Sequence, residues 1–175
     1  MGWGKQKRAV LLAGLLLCAA SLTACGPRVS SAVVGMTVDE AGNPVIVLQN
    51  CKGDITQLEL FTDPVSPSTL VYENRHPFTA IDEIPLLTGT ADWPPSKPVP
   101  KLRPTGIIVI KPWASGHSWS GRRTEFTLAD LKTLKPGQVR HDWRAANEPP
   151  SYGASPGTSQ YRITTLDDFT PDYCP

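Results

Sequence analysis

No glycine-rich phosphate loop, no calcium-loop spacing and no Cys-x-x-Cys pair occurs in this chain. The short motifs that announce nucleotide, calcium or thiol-redox chemistry are therefore absent. Three histidines, His76, His117 and His141, stand far apart, and no cysteine has a histidine or a second cysteine at ligand spacing. The sequence offers no metal site and implies no cofactor. Helical periodicity is nearly missing, and no apolar run reaches the roughly 20 residues that span a bilayer. Charge of one sign is missing too. Seventeen Lys and Arg face sixteen Asp and Glu, which gives no reason to expect nucleic acid as a partner.

The first 24 residues have a distinct character. Lys5, Lys7 and Arg8 precede an apolar run from Ala9 to Ala20, small residues follow from Ser21 to Ala24, and no acidic residue occurs before Asp39. This is the layout of a cleaved signal peptide. The alternative, an N-terminal transmembrane helix, needs a longer run. Leu22-Thr23-Ala24-Cys25 ends the leader, and this tetrapeptide resembles the lipobox of bacterial lipoproteins. The resemblance covers the leader and the cysteine only. It implies that the Cys25 thiol carries diacylglycerol, that a dedicated peptidase cleaves before it, and that the new amine is often acylated. The chain is then expected on the extracytoplasmic face of the cell membrane, held there by lipid on Cys25. Two or three acyl chains, at about 0.8 kcal/mol per buried CH₂, anchor stably. The competing reading is ordinary cleavage near Ala24 with Cys25 left as a free thiol, which would be open to oxidation. Met1-Gly2 does not signal myristoylation, because Gln6 stands where Ser or Thr is required.

Removing residues 1–24 from 175 leaves 151, an ordinary size for one domain. The expected organisation is a signal peptide over 1–24, a lipidated cysteine and tether over 25–32, and one domain over 33–175. Cys18 leaves with the leader and Cys25 takes lipid. Cys51 and Cys174 remain, an even pair in an oxidising compartment, and a disulfide is the expected assignment. In the chain-entropy model a closed loop of that length is worth about 4–5 kcal/mol. The charges are segregated. Residues 36–92 carry nine acidic residues against Lys52 and Arg75, and residues 93–144 carry ten Lys and Arg against Glu125, Asp130 and Asp142. Either the two segments neutralise each other across one sheet system, or the second presents an electropositive face.

The body of the chain reads as strands separated by turns. Val33–Val38 and Val45–Gln49 flank Asp39-Glu40-Ala41-Gly42-Asn43-Pro44, a hairpin connection. Val45-Ile46-Val47-Leu48 is apolar on both faces, as in a buried central strand. Leu58 and Leu60 alternate with Gln57 and Glu59 before Phe61. Further strands are expected over Thr69–Tyr72, Thr105–Lys111, Arg123–Leu128, Val139–Arg144 and Gln160–Thr164. Leu128, Leu131 and Leu134 fall at helical spacing before Lys135-Pro136-Gly137, a turn or two of helix fit to plug a core. The fold class is all-β, an antiparallel Ig-like sandwich with one short helical turn.

Two loops are rich in turn residues. Trp93–Pro104 holds five prolines with Lys97, Lys101 and Arg103. Proline lacks the N–H of a central strand, so this is a stiff crossover between sheets or a presented polyproline-type ligand. Asn147–Ser159 is the second loop. Gly116-His117-Ser118-Trp119-Ser120 resembles the nucleophile elbow of α/β-hydrolases, and Ser118, Asp130 and His141 follow the chain order of nucleophile, acid and base. Ser120 replaces the last glycine, however, and the alternating strand and helix pattern of that fold is absent. Nothing then supplies an oxyanion hole. An envelope hydrolase using Ser118 is the rival reading from the enzyme class, and catalytic residues are not expected. His141 and Asp142 are neighbours in a strand and should point to opposite faces. Aromatics cluster with cations instead. Trp93, Trp113, Trp119, Trp143 and Tyr152 lie near Lys111, Arg122, Arg123, Arg140 and Arg144. Such sets serve as interaction hot spots or as core and edge packing. Trp113, Trp119, Arg122 and Arg123 are the candidate ligand-binding residues. The expected role is binding or accessory, toward an envelope protein or glycan. A purely structural spacer remains the third possibility.

Overall fold

A computed structural model of the chain describes residues 32–51, 55–62, 70–75, 81–117, 120–142 and 160–169. The leader, Cys25, Ser118, Trp119, Trp143, Tyr152 and Cys174 lie outside the described residues. Among the described residues nine strands occur in chain order: β1 (Ala32–Val38), β2 (Pro44–Asn50), β3 (Ile55–Phe61), β4 (Leu70–Glu73), β5 (Ile81–Pro85), β6 (Ile108–Ala114), β7 (Thr124–Phe126), β8 (Gln138–Asp142) and β9 (Tyr161–Thr165). They form two sheets, ordered β5-β2-β1-β8-β9 and β4-β3-β6-β7. Every strand pairing is antiparallel. The architecture is the expected all-β sandwich.

The β1–β2 hairpin shows how the turn residues set register. One oxygen of the Asp39 carboxylate accepts from the backbone N–H of Ala41 and Asn43 at 2.9 and 2.8 Å. The other accepts from the Asn43 amide at 2.9 Å, and these bonds hold the exposed Asp39 carboxyl below its ordinary pKa. Gly42 closes the turn at φ +80°, where a side chain would be strained. The resulting register aligns Met36 with Ile46 and Val34 with Leu48.

Those four residues point between the sheets, with Ala32 and Val38. There they meet Leu58 and Leu60 of β3, Leu70 and Tyr72 of β4, Ile108 and Ile110 of β6, and Phe126 of β7. The Tyr72 hydroxyl, fully buried, donates to the Leu86 carbonyl, and burial pushes its pKa up. Trp93 is buried in the same core. Its backbone N–H donates to Thr90 Oγ1 at 3.0 Å and its indole N–H to Asp82 Oδ2 at 2.8 Å. Trp93 is therefore a packing residue. Gly89 is required beside it, since a Cβ there would stand 2.3 Å from the Trp93 carbonyl oxygen.

The proline-rich segment is a crossover from β5 in one sheet to β6 in the other. On its way it lies along the edge of β4. The Glu73 N–H donates to the Pro94 carbonyl at 3.3 Å, and the Ser96 N–H donates to the Val71 carbonyl at 2.7 Å. Prolines suit this edge because they need not donate. Another crossover, from β7 to β8, holds a short helix, α1 (Leu128–Leu131). Thr127 and Asp130 form a capping box over its first turn. Leu131 and Leu134 are buried, and Leu128 packs against the core. The Leu128, Leu131, Leu134 spacing thus marks a core plug.

The outer face of the first sheet is also covered. Val33, Val47, Val139 and Phe169 form a small buried cluster, with Cys51, Ile81 and Leu166 packed against it. Phe169 comes from the segment after β9 and lies over β1 at Gly35. A Cβ at Gly35 would stand 2.4 Å from Val139 Cγ1 and 3.3 Å from the Phe169 ring. Glycine here makes room for a second layer of packing.

Candidate functional site

The outer face of the second sheet is built differently. Leu58 and Leu60 turn inward, so Gln57, Glu59 and Phe61 turn outward. The β3–β6 register sets Gln57 beside Trp113, Glu59 beside Lys111 and Phe61 beside Val109. On the far side, β7 brings Glu125 beside Val109, and Arg123 lies two residues before it on the same face. The pleat alone therefore assembles a polar and aromatic row across three strands.

The side chains are mutually engaged. The Trp113 indole N–H donates to Glu59 Oε2 at 2.6 Å. The Lys111 ammonium sits 3.9 Å from the Trp113 ring centroid, a cation–π contact. His117 stacks on the same indole with centroids 4.7 Å apart and planes at 25°. Its Nε2 is 2.8 Å from Gln57 Oε1 and 4.0 Å from Glu59 Oε1. Arg123 pairs with Glu125 at 2.7 Å. Burial pushes the Lys111 pKa down; Glu59 opposes that shift and Arg123 adds to it. His117 is held at φ +55° directly after Gly116 at φ +62°. Two successive left-handed residues fold the loop back so that the imidazole reaches Trp113. A histidine in that region carries backbone strain, which tends to persist where neighbouring contacts impose it.

The candidates from sequence are thus separated. Trp113 and Arg123 share the outer face of the second sheet. Arg122 does not join them. Its N–H donates to the Ala32 carbonyl at 2.8 Å, beside β1, and its charge acts on His141. Neighbours in extended backbone diverge. Trp119 and Ser118 fall outside the described residues. Sequence reasoning placed Lys111 near the aromatics but missed Gln57, Glu59 and His117 as partners of Trp113. The alternation in β3 marked the first two as outward-facing. The β3–β6 register that joins them to Trp113 is a tertiary fact.

Of the hydrolase order, Ser118 lies outside the described residues, and Asp130 and His141 serve different elements. Asp130 Oδ2 accepts from the Thr127 N–H at 2.8 Å as part of the α1 cap. His141 is 1 % exposed on the outer face of the first sheet, with the Phe169 ring 5.3 Å away. Burial pushes its pKa down, Arg162 and Arg122 add to that, and a bond to the Asp142 carbonyl opposes it. Asp142 faces the opposite way, toward β7, as neighbours in a strand must. Among the described residues no group of three His, Cys, Asp or Glu could hold a metal ion, and no helix is long and apolar enough to cross a membrane. Cys51 is half-buried after β2 and is held in a disulfide whose partner lies outside the described residues.

The polar groups of the Trp113 row face one another. Here the ammonium, imidazole, carboxylate and indole are bound to one another, and the ring is occupied by Lys111 and His117. The row can offer hydrogen bonds, charge and aromatic surface to a partner. No protein-family model matches the chain, and neither the curated proteins nor the solved structures give a significant match.

Proposed function

We propose that this chain is a lipid-anchored binding protein on the extracytoplasmic face of the bacterial cell envelope, and that the Trp113 face is its contact surface. The observation that carries the reading is the contrast between the two outer faces. One is sealed by Phe169, and the other holds Trp113, Lys111, His117 and Glu59 preorganised and partly exposed. Tryptophan and arginine held in place at a surface are the residue types that dominate binding, and preorganisation lowers the entropy lost on association. The lipobox supports the location. The seven residue-to-residue steps from Cys25 to Ala32 can reach about 25 Å when extended, which keeps the sandwich close to the membrane. The partner is an envelope protein or glycan.

The disulfide belongs to the same reading. Cys18 and Cys25 are assigned to the leader and the lipid, which leaves Cys174 for Cys51. Phe169, five residues before Cys174, lies in the apolar cluster against which Cys51 packs. The bond would latch the C-terminal segment over the first sheet.

A photo-crosslinking residue at Val71, on the outer face of β4 beside Glu59, tests the surface in intact cells. A discrete adduct from position 71 that disappears with Trp113→Ala, and no such adduct from Leu87, is the expected result. Adducts unaffected by Trp113→Ala, or none at all, would leave a spacer. Labelling by a serine-reactive probe that vanishes in Ser118→Ala would turn the reading to a hydrolase.

A further inference from the structure

Among the described residues the two sheets have four strand edges, and three of them are guarded. The β4 edge is covered by Pro94–Ser96, and Ser96 Oγ accepts from the Val71 N–H at 3.3 Å. The β7 edge is closed by side chains from the other sheet: the Arg140 guanidinium donates to the Glu125 carbonyl, and the Glu125 N–H reaches Asp142 Oδ1 at 3.5 Å. The β5 edge carries Asp82, Glu83 and Pro85, which discourage pairing. The fourth edge, β9, reads Tyr-Arg-Ile-Thr-Thr. It has no acid and no proline, and Tyr161 and Ile163 are 56 % and 44 % exposed.

The register shows what this edge offers. Gln138 aligns with Thr165 and Asp142 with Tyr161. Leu166 donates to the Gly137 carbonyl at 2.8 Å. In an antiparallel ladder the bonded direction alternates, so Tyr161 and Ile163 aim their backbone N–H and C=O groups away from β8; Thr165 aims its N–H the same way, while its carbonyl accepts from the Phe169 N–H at 3.0 Å. Their side chains share a face with Arg140 and Asp142, toward the second sheet. That sheet ends at β7, whose edge meets β8, so β9 overhangs. Arg140 sits 4.1 Å from the Tyr161 ring centroid and holds that ring in place.

We propose that β9 pairs antiparallel with β9 of a second copy of this chain, about a two-fold axis at Ile163. The strand is self-complementary in that register. Ile163 meets Ile163 of the other copy, Tyr161 meets Thr165, and Arg162 meets Thr164. Ile163 exchanges both backbone bonds with its counterpart, and the Thr165 N–H donates to the Tyr161 carbonyl of the other copy, the Thr165 carbonyl being held by Phe169. No charge directly faces its like, whereas a register centred on Arg162 would oppose two guanidinium groups. Each Ile163 and Tyr161 gains an apolar neighbour on one continuous face. A second copy is favoured over a foreign strand because the matched pairing needs nothing from outside the chain. Five residues per side bury far less than the roughly 1,600 Å² of a standard interface. The pairing is therefore weak in dilute solution and strengthened by confinement on a membrane. That confinement rests on the anchor proposed above, but the geometry of β9 does not.

The test is cysteine cross-linking of the full chain in its native membrane. Ile163→Cys treated with a short bismaleimide should give a band of twice the monomer mass. Leu87→Cys, an exposed apolar position elsewhere, should give none, and the parent chain sets the background from its own cysteines. Adding Tyr161→Lys to Ile163→Cys should abolish the band. Cross-linking at position 163 no greater than at position 87 would overturn the proposal. A product joining position 163 only to a different protein would also overturn it, and would assign the edge to a foreign strand.

Discussion

The two outer faces of this sandwich follow the same pleat and end in opposite states. On the first sheet, Gly35, Val33, Val47, Val139 and His141 lie beneath Phe169 and are shut from water. On the second, Gln57, Glu59, Lys111, Trp113 and His117 face outward and bind one another. Burial of apolar area stabilises the first face, at about 25 cal/mol per Å². On the second, hydrogen bonds and ring contacts near solvent add little to stability but fix side chains in position. The difference separates what holds the fold from what remains to meet a partner.

The comparison breaks most sharply at Phe169. Phe169→Ala should cost about 3–5 kcal/mol, because it empties a fully buried site, and urea unfolding would show the midpoint fall. Gly35→Ala should cost about 1–3 kcal/mol by overpacking, since the new methyl collides with Val139. On the open face the same measurement should barely respond. Trp113→Ala should cost about 1 kcal/mol, as for a half-exposed site, while eliminating the contact adduct.

Acid should also act on the closed face first. Burial holds the His141 pKa below its ordinary 6.5 in the folded chain. The unfolded chain therefore takes up the proton first as pH falls through 6.5. This part of the stability is present above pH 6.5 and is lost on acidification toward the folded pKa. The slope of stability between about pH 7 and pH 5 should flatten in His141→Gln. The smallest effect is expected at Glu59→Gln, which keeps an acceptor for the Trp113 indole. It should change stability by about 0–1 kcal/mol, read from the same urea midpoints.

Much of this was legible in the chain. The continuous apolar run in β2 signalled burial on both sides, and alternation in β3 signalled one wet face. Asp39, Gly42 and Asn43 announced their hairpin, and the leucine spacing after Thr127 announced the plug. Strand β5 was hidden because Asp82 and Glu83 interrupt its two isoleucines, which edge position permits. Trp93 stood in an aromatic set read either as hot spot or as packing and proved to be core, with its Asp82 partner coming from that unrecognised strand. The Trp113 row was half visible. The outward residues could be named, but their grouping depends on β3 pairing with β6 across some fifty residues. The reach of His117 depends on positive φ at two positions, only one of them glycine. Arg122 and Arg123 looked alike as neighbours, and extended backbone sends them to different sheets.

The account holds that one face is latched shut, the other is left open, and the whole is held at a membrane. The intact mass of the mature protein from its native membrane, measured with and without reduction, tests that most directly. The predicted result is Cys25–Pro175 carrying two or three acyl chains, with a gain of about two hydrogens on reduction of the single Cys51–Cys174 bond. An unlipidated soluble mass starting near Cys25, or a mass unchanged by reduction, would contradict it.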